Sequence, residues 1–194
     1  MKQPITHCLL CHTLLAPLRS WHRLLTNELT PTLCTACYQQ FEPATSEALF
    51  TYNDAMKNWL NQYKILGDVQ LAHSFRSELR KALSTDAIVV PIPLHPNKLA
   101  ERTFAQVEML LTCAGVPFEQ YLLKKDDVTQ GLRNRQQRLA SDNPFALAQE
   151  AQGKHFIIFD DIKTTGTTLR QASEILQQAG AASVKTFTLC ASEL

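Results

Sequence analysis

Two short stretches hold most of the residues in this chain that could do chemistry. The first is "FIIFDDIKTTGTTL", residues 156–169. Gly166 lets the backbone turn tightly and approach a ligand with no Cβ in the way. A helix opening near Thr167 leaves N–H groups free at the positive end of its dipole, which is an anion site. Thr164, Thr165, Thr167 and Thr168 add hydroxyl donors. Asp160 and Asp161 would repel a bare phosphate. A sugar phosphate suits them, because carboxylates accept hydrogen bonds from ribose hydroxyls while the cradle takes the phosphate. An ordinary helix cap needs one hydroxyl, and four threonines behind an acid pair exceed that need.

The second stretch is a pair of knuckles, Cys8-x2-Cys11 and Cys34-x2-Cys37. Each knuckle lets two thiolates reach one ion, and four thiolates close a tetrahedral zinc site at about 2.3 Å. With no open position for substrate, such a site is structural. It stabilises a segment with little core of its own. His7 and His12 flank the first knuckle and are the alternative ligands; a redox dithiol would need only one pair. Cys113 and Cys190, in "LLTCAG" and "FTLCAS", read as buried small hydrophobes.

The elements that must position these groups follow from periodicity. From Asp54 to about Leu83 the chain reads as helical, with Met56, Trp59, Leu60 and Tyr63 on one face and an interruption at Gly67-Asp68. "DAIVVPIPL" (86–94) is a buried strand ended by its prolines, and "ERTFAQVEMLLTCAG" a helix closed by Gly115. "FEQYLL" (118–123) is the next strand, and residues 124–144 are a mobile, polar excursion. "KHFIIFD" is a strand, "TLRQASEILQQAG" a helix and "SVKTFTLC" a strand. Strands alternating with helices predict an α/β fold, a parallel sheet flanked by helices. Ligands of such sheets sit beyond the carboxyl ends of the strands, and both aspartates are expected at that edge.

Composition removes other classes. Among 194 residues, 19 basic side chains meet 18 acidic ones, so no global charge draws the chain to nucleic acid or membrane. No run approaches the ~18 apolar residues of a membrane span, and the N-terminus lacks a signal-peptide core. The expectation is a cytoplasmic protein without membrane insertion, where reduced thiols bind metal rather than pair.

Residues 156–168 resemble the PRPP-binding signature (PRPP, phosphoribosyl pyrophosphate) of type I phosphoribosyltransferases: four apolar residues, two acids and a Thr/Gly loop. The resemblance implies that Asp160 and Asp161 bind the ribose 2′- and 3′-hydroxyls, and that Thr164, Thr165, Gly166, Thr167 and Thr168 bind the 5′-phosphate. Threonine at 164 departs from the purine-salvage members, which usually carry an Asp there.

A four-cysteine module ahead of such a domain resembles the ComF/GntX family of bacterial proteins associated with competence and use of external DNA. "YKILGD" (63–68), "VPIPLHPNKLAERTFAQ" (90–106) and "TQGLRNRQQRLASDNPF" (129–145) resemble its further motifs. Family Gly-Phe-Asn becomes Thr103-Phe104-Ala105, and the family Asn after Arg138 falls at Ser141. The resemblance implies a zinc-binding module over 1–43 and a phosphoribosyltransferase-like domain over 44–194. It also implies Mg²⁺ accompanying PRPP, with Lys98 and Arg102 as cations for the pyrophosphate. The 124–144 segment is then a loop closing over ligand. Its Lys124, Lys125, Arg133, Arg135 and Arg138 form a strip able to touch single-stranded DNA. The expected function is binding of PRPP or a related ribose phosphate in DNA uptake, with phosphoribosyl transfer to an acceptor. The alternative is a non-catalytic adaptor that handles single-stranded DNA or meets the uptake machinery.

Overall fold

Val, Ile, Phe and Thr crowd together at three places in the chain, and side by side these runs make the centre of one sheet. The structure is a computed structural model and describes residues 5–16, 29–44, 47–125 and 143–192. Its main sheet joins β1 (Ala48–Thr51), β2 (Ile88–Pro91), β5 (His155–Lys163) and β6 (Ser183–Ala191) in the order β1-β6-β5-β2. Every neighbouring pair is parallel. This is the type I phosphoribosyltransferase fold, with layers packed on both faces of the sheet.

One face carries α2 (Asp54–Lys64), α3 (Arg76–Ala82) and α5 (Gln106–Ala114). Helix α2 begins where Asn53 accepts a hydrogen bond from the Met56 N–H at 3.0 Å, and it buries Met56, Trp59, Leu60 and Tyr63. Leu33, Cys37 and Phe41, from the segment around α1 (Thr35–Tyr38), lie in the same core as Phe50, Trp59 and Phe75. The other face carries α6 (Thr167–Gln178), which buries Leu169, Ala172 and Leu176 against Phe156 and Ile158. A two-stranded antiparallel sheet of β3 (Leu122–Lys124) and β4 (Phe145–Leu147) joins α6 on that face.

Several expectations change. The helical stretch from Asp54 divides into α2, a 3₁₀ turn over Val69–His73 and α3, because Gly67 adopts a left-handed φ of 73° that no helix continues through. "FEQYLL" yields only the start of β3, which pairs with β4 and not with the main sheet. Most of the polar excursion, residues 126–142, lies outside the described residues. Strand β1 escaped the sequence reading: four residues are too few to show alternation.

The helix expected from Glu101 breaks in two. Helix α4 (Pro96–Arg102) ends at Thr103, whose φ of 63° is left-handed, and α5 restarts at Gln106. The family's glycine stands at this position, and the backbone shows why. A threonine held here carries a steric cost of about 1–2 kcal/mol that glycine does not. Thr103→Gly is therefore expected to stabilise the fold by about 1 kcal/mol, less the entropy glycine adds to the unfolded chain. A urea midpoint that falls on this substitution would refute the strain.

Candidate functional site: the carboxyl edge of the sheet

Residues 164–166 link the end of β5 to α6. Gly166 sits at φ 73° as the residue preceding the helix. Thr165 Oγ1 lies 3.0 Å from Thr167 Oγ1 and accepts from the Thr167 N–H at 3.4 Å. Thr164, Thr165 and Thr167 are exposed, and Thr168 is half-buried. The intrahelical bonds begin with Arg170 N–H donating to Gly166 C=O, so the N–H groups of Thr168 and Leu169 lead no bond within the helix. The loop is a collar of hydroxyls and N–H groups around the positive end of a twelve-residue helix. Lys163, the last residue of β5, pairs with Glu47 beside it.

The two aspartates do not stand beyond the strand as expected. They lie inside β5, which runs on to Lys163, with Asp160 opposite Thr188 of β6. The two-residue period of a strand therefore sends them to opposite faces. Asp160 shares the face of Phe156 and Ile158, the side of α6 and the β3–β4 pair. Asp161 shares the face of Phe159, the side of α2.

Their environments differ accordingly. Asp161 is buried at 2% exposure, and its Oδ1 meets Lys64 Nζ at 2.7 Å. Asp161 Oδ2 is buried and, among the described residues, has no hydrogen-bond partner. Asp160 Oδ1 accepts from the Asp161 N–H at 2.8 Å. Burial, followed by the charge of Asp161, pushes the Asp160 carboxyl up to about 7, against the opposing pull of that N–H, Lys64 and Lys124. Cys190 is bonded to the Asp161 carbonyl at 3.4 Å. Burial, and next the Asp161 charge, lifts its thiol to about 12, which makes it an inert neighbour.

Two basic residues, Lys124 and Lys98, fall on the Asp160 side. Lys124 at the end of β3 stands over the Phe145 ring, 4.5 Å from its centroid. Burial lowers its pKa, Asp160 raises it and Lys98 lowers it again. Asp160, Lys124 and Lys98 thus share one electrostatic neighbourhood. Lys98 is exposed on α4 and Arg102 is half-buried at that helix's last turn. Phe104, just past the break, packs on Tyr63 with centroids 5.2 Å apart and ties this loop to α2. Arg133, Arg135 and Arg138 lie outside the described residues.

The second cluster is built by two tight turns. His12 N–H donates to Cys8 C=O at 2.9 Å and Cys8 N–H to Thr13 C=O at 2.8 Å, with His12 left-handed at φ 58°. Cys34 precedes α1 and Cys37 lies within it. The four Sγ atoms lie within 4.8 Å of one another, and Cys11 and Cys34 are 3.6 Å apart. A zinc ion with sulfurs at about 2.3 Å would set them about 3.8 Å apart. The cysteines therefore fit a four-coordinate metal, and His7 and His12 stand outside the group. Contact with the Thr13 hydroxyl, foremost among its neighbours, holds the Cys11 thiol down to about 6, in the thiolate range a metal ligand needs.

A phosphoribosyl transferase domain model matches residues 86–193. The competence protein ComFC of Streptococcus pneumoniae is 39% identical over 145 residues, 73% of this chain and 66% of that protein. ComFC of Bacillus subtilis is 34% identical over 151 residues, 74% of this chain and 63% of that one. This chain belongs to the ComF family of phosphoribosyl transferase domain proteins. It spans just under two thirds of the length of these relatives. Among solved structures, a hypoxanthine phosphoribosyltransferase from Staphylococcus aureus aligns with a TM-score of 0.41 at 18% identity, over 73% of this chain and 76% of that one.

In this ComF-family chain one residue of the edge escaped the sequence reading. Lys64 was legible only as part of "YKILGD" at the close of a helix, where a lysine is expected for the dipole alone. Its ion pair with Asp161, far along the chain, is a product of the tertiary fold. Among the described residues, no helix is long and apolar enough to cross a membrane.

Proposed function

We propose that this ComF-family protein binds PRPP, or a related ribose phosphate, with Mg²⁺ at the carboxyl edge of its sheet, in the service of DNA uptake or use. The observation that supports the reading is the order of groups through the end of β5: carboxylates on its two faces at 160 and 161, then a hydroxyl collar, a left-handed Gly166 and a free helix N-terminus. Thr164 to Thr168 would take the 5′-phosphate, Asp160 and Asp161 the ribose hydroxyls, and Lys98 and Arg102 the pyrophosphate. Mg²⁺ would supply charge neutralisation on the pyrophosphate. The four cysteines would hold zinc and staple residues 1–43 to a phosphoribosyltransferase-like domain over 44–194, in a reducing cytoplasm. The link to competence comes from the two ComFC relatives, which are competence proteins; DNA uptake or use is the role proposed within it.

Such a site contributes by positioning a donor, so that the bond from ribose C1 to pyrophosphate breaks as one to an acceptor forms. Release of pyrophosphate with a screened acceptor would mark an enzyme; binding without release would mark a PRPP-responsive adaptor.

The primary test is calorimetric titration of PRPP and Mg²⁺ into wild type and the Asp160→Asn/Asp161→Asn double variant. Wild type is expected to bind and the double variant to lose binding. A folded, metal-loaded wild type that binds nothing sinks the reading. The pH profile adds a second readout. Asp160 accepts from a ribose hydroxyl best when ionised, so affinity should rise as pH climbs through about 7. Without ligand the sign reverses: a carboxyl raised on folding binds more protons native than unfolded. Its contribution to stability therefore falls as pH rises from the ordinary carboxylate range towards 7. Asp160→Asn should flatten both profiles.

A further inference from the structure

The end of α2 brings a cation to the buried face of β5. Lys64 is the last residue of that helix, and its side chain is only 14% exposed. Met56, Trp59, Leu60 and Tyr63 press the helix onto the sheet, and Tyr63 is pinned further by donating its hydroxyl to the Gln106 carbonyl at 2.7 Å. Lys64 is thus delivered by packing, and it forms a charge-assisted bond of 2.7 Å to Asp161 Oδ1. Lys64 also lines an open cavity of about 400 Å³ with Tyr52, Asn61 and Ile162 at the carboxyl edge.

The second oxygen of the same carboxylate is the telling atom. Asp161 Oδ2 is buried and has no hydrogen-bond partner among the described residues, although an ionised carboxylate can accept about four bonds. Around it stand Asp160, which repels it, Tyr63 and Cys190, whose protonated forms burial favours. A buried acceptor left without a donor is a costly state, which a ligand hydroxyl brought to it would relieve. We propose that Lys64 is a positioning residue for the binding edge: it occupies Oδ1 of Asp161 and leaves Oδ2 as the single acceptor for a ribose hydroxyl. The inference rests on the ribose-phosphate reading and divides the labour within it. Asp160 works from the side of Lys124 and Lys98, and Asp161 works only as Lys64 presents it. Lysine is suited to this task because its compact ammonium satisfies one oxygen, whereas a guanidinium fork matches both.

A double-mutant cycle in the full, metal-loaded chain tests it. PRPP with Mg²⁺ is titrated into wild type, Lys64→Met, Asp161→Asn and the double variant, each shown to be folded by its melting curve. Each single variant is expected to lose about tenfold or more in affinity, and the double variant no more than Asp161→Asn alone. A purely structural Lys64 would instead weaken binding by the same factor in both backgrounds. Should Lys64→Met fail to fold, Lys64→Ala, which also removes the donor, replaces it in the cycle. Independent losses, or Lys64→Met binding as wild type does, overturn the inference while the ribose-phosphate reading stands. A wild type that binds no PRPP overturns both.

Discussion

Stripping the zinc proposed for the four-cysteine cluster with a chelator should lower the melting temperature of the whole chain by more than about 10 °C. Structural zinc is worth about 10–16 kcal/mol in isolated finger peptides, comparable to the ~5–15 kcal/mol that holds an entire domain together. In this chain the loss spreads because the cluster shares its core. Cys8, Leu33, Cys37 and Phe41 pack with Phe50, Trp59 and Phe75, which belong to β1, α2 and the start of α3. A loss of only about 5 kcal/mol, at ~2–4 °C for each kcal/mol in a chain of this size, gives the stated shift. A chelator titration followed by thermal melting reads it directly. Cys37→Ser should reproduce the shift and Cys113→Ser, outside the cluster, should not. A chelated protein that melts within about 2 °C of the untreated one would reduce the four thiols to bystanders.

Phe75→Ala should be the most damaging single truncation, at about 3–5 kcal/mol. Its ring is fully buried and has three aromatic neighbours, with centroids 4.9 Å away at Phe41, 4.6 Å at Phe50 and 5.2 Å at Trp59. Those neighbours come from the cysteine segment, β1 and α2. The cavity left behind would open at the junction of all three, where no one element can collapse to fill it. A drop in urea midpoint with an unchanged slope is the expected signature, accompanied by faster loss of metal to a chelator. Phe75→Leu, which keeps more of the volume, should cost less. A Phe75→Ala change below about 1 kcal/mol would mean that the segment carrying Phe41 stands apart from the core.

Much of the candidate site could be read from the sequence alone. The β-branched run of β5, the threonine collar and the helix stripe of Leu169, Ala172 and Leu176 are local patterns, and local physics fixes them. The four cysteines were equally plain, since paired Cys-x2-Cys spacing is what a four-coordinate ion requires. What the sequence concealed is non-local. Where β5 ends depends on its eight paired residues in β6. The strand therefore runs through the aspartates to Lys163, and a reading that ended it with "KHFIIFD" placed both acids at its edge. Lys64 shows no sign of its partner because Asp161 lies in a distant strand. Thr103 hid its break because the residue type argues against a left-handed turn, and only the family's glycine hinted at it.

The order of strands has a consequence for how this protein is made. Strand β6 lies C-terminal to every other strand of the main sheet, yet it sits between β1 and β5. During synthesis β1 and the β5–β2 pair must wait as unjoined edges until residues 183–191 emerge and slide between them. Open parallel edges of this kind are slow to pair and prone to find the wrong partner. The seam where β6 meets β5 also carries Asp160 opposite Thr188 and Ile162 opposite Cys190. The edge that would receive a ligand therefore takes its final shape at the closing step of folding, and a nascent chain cannot hold one early.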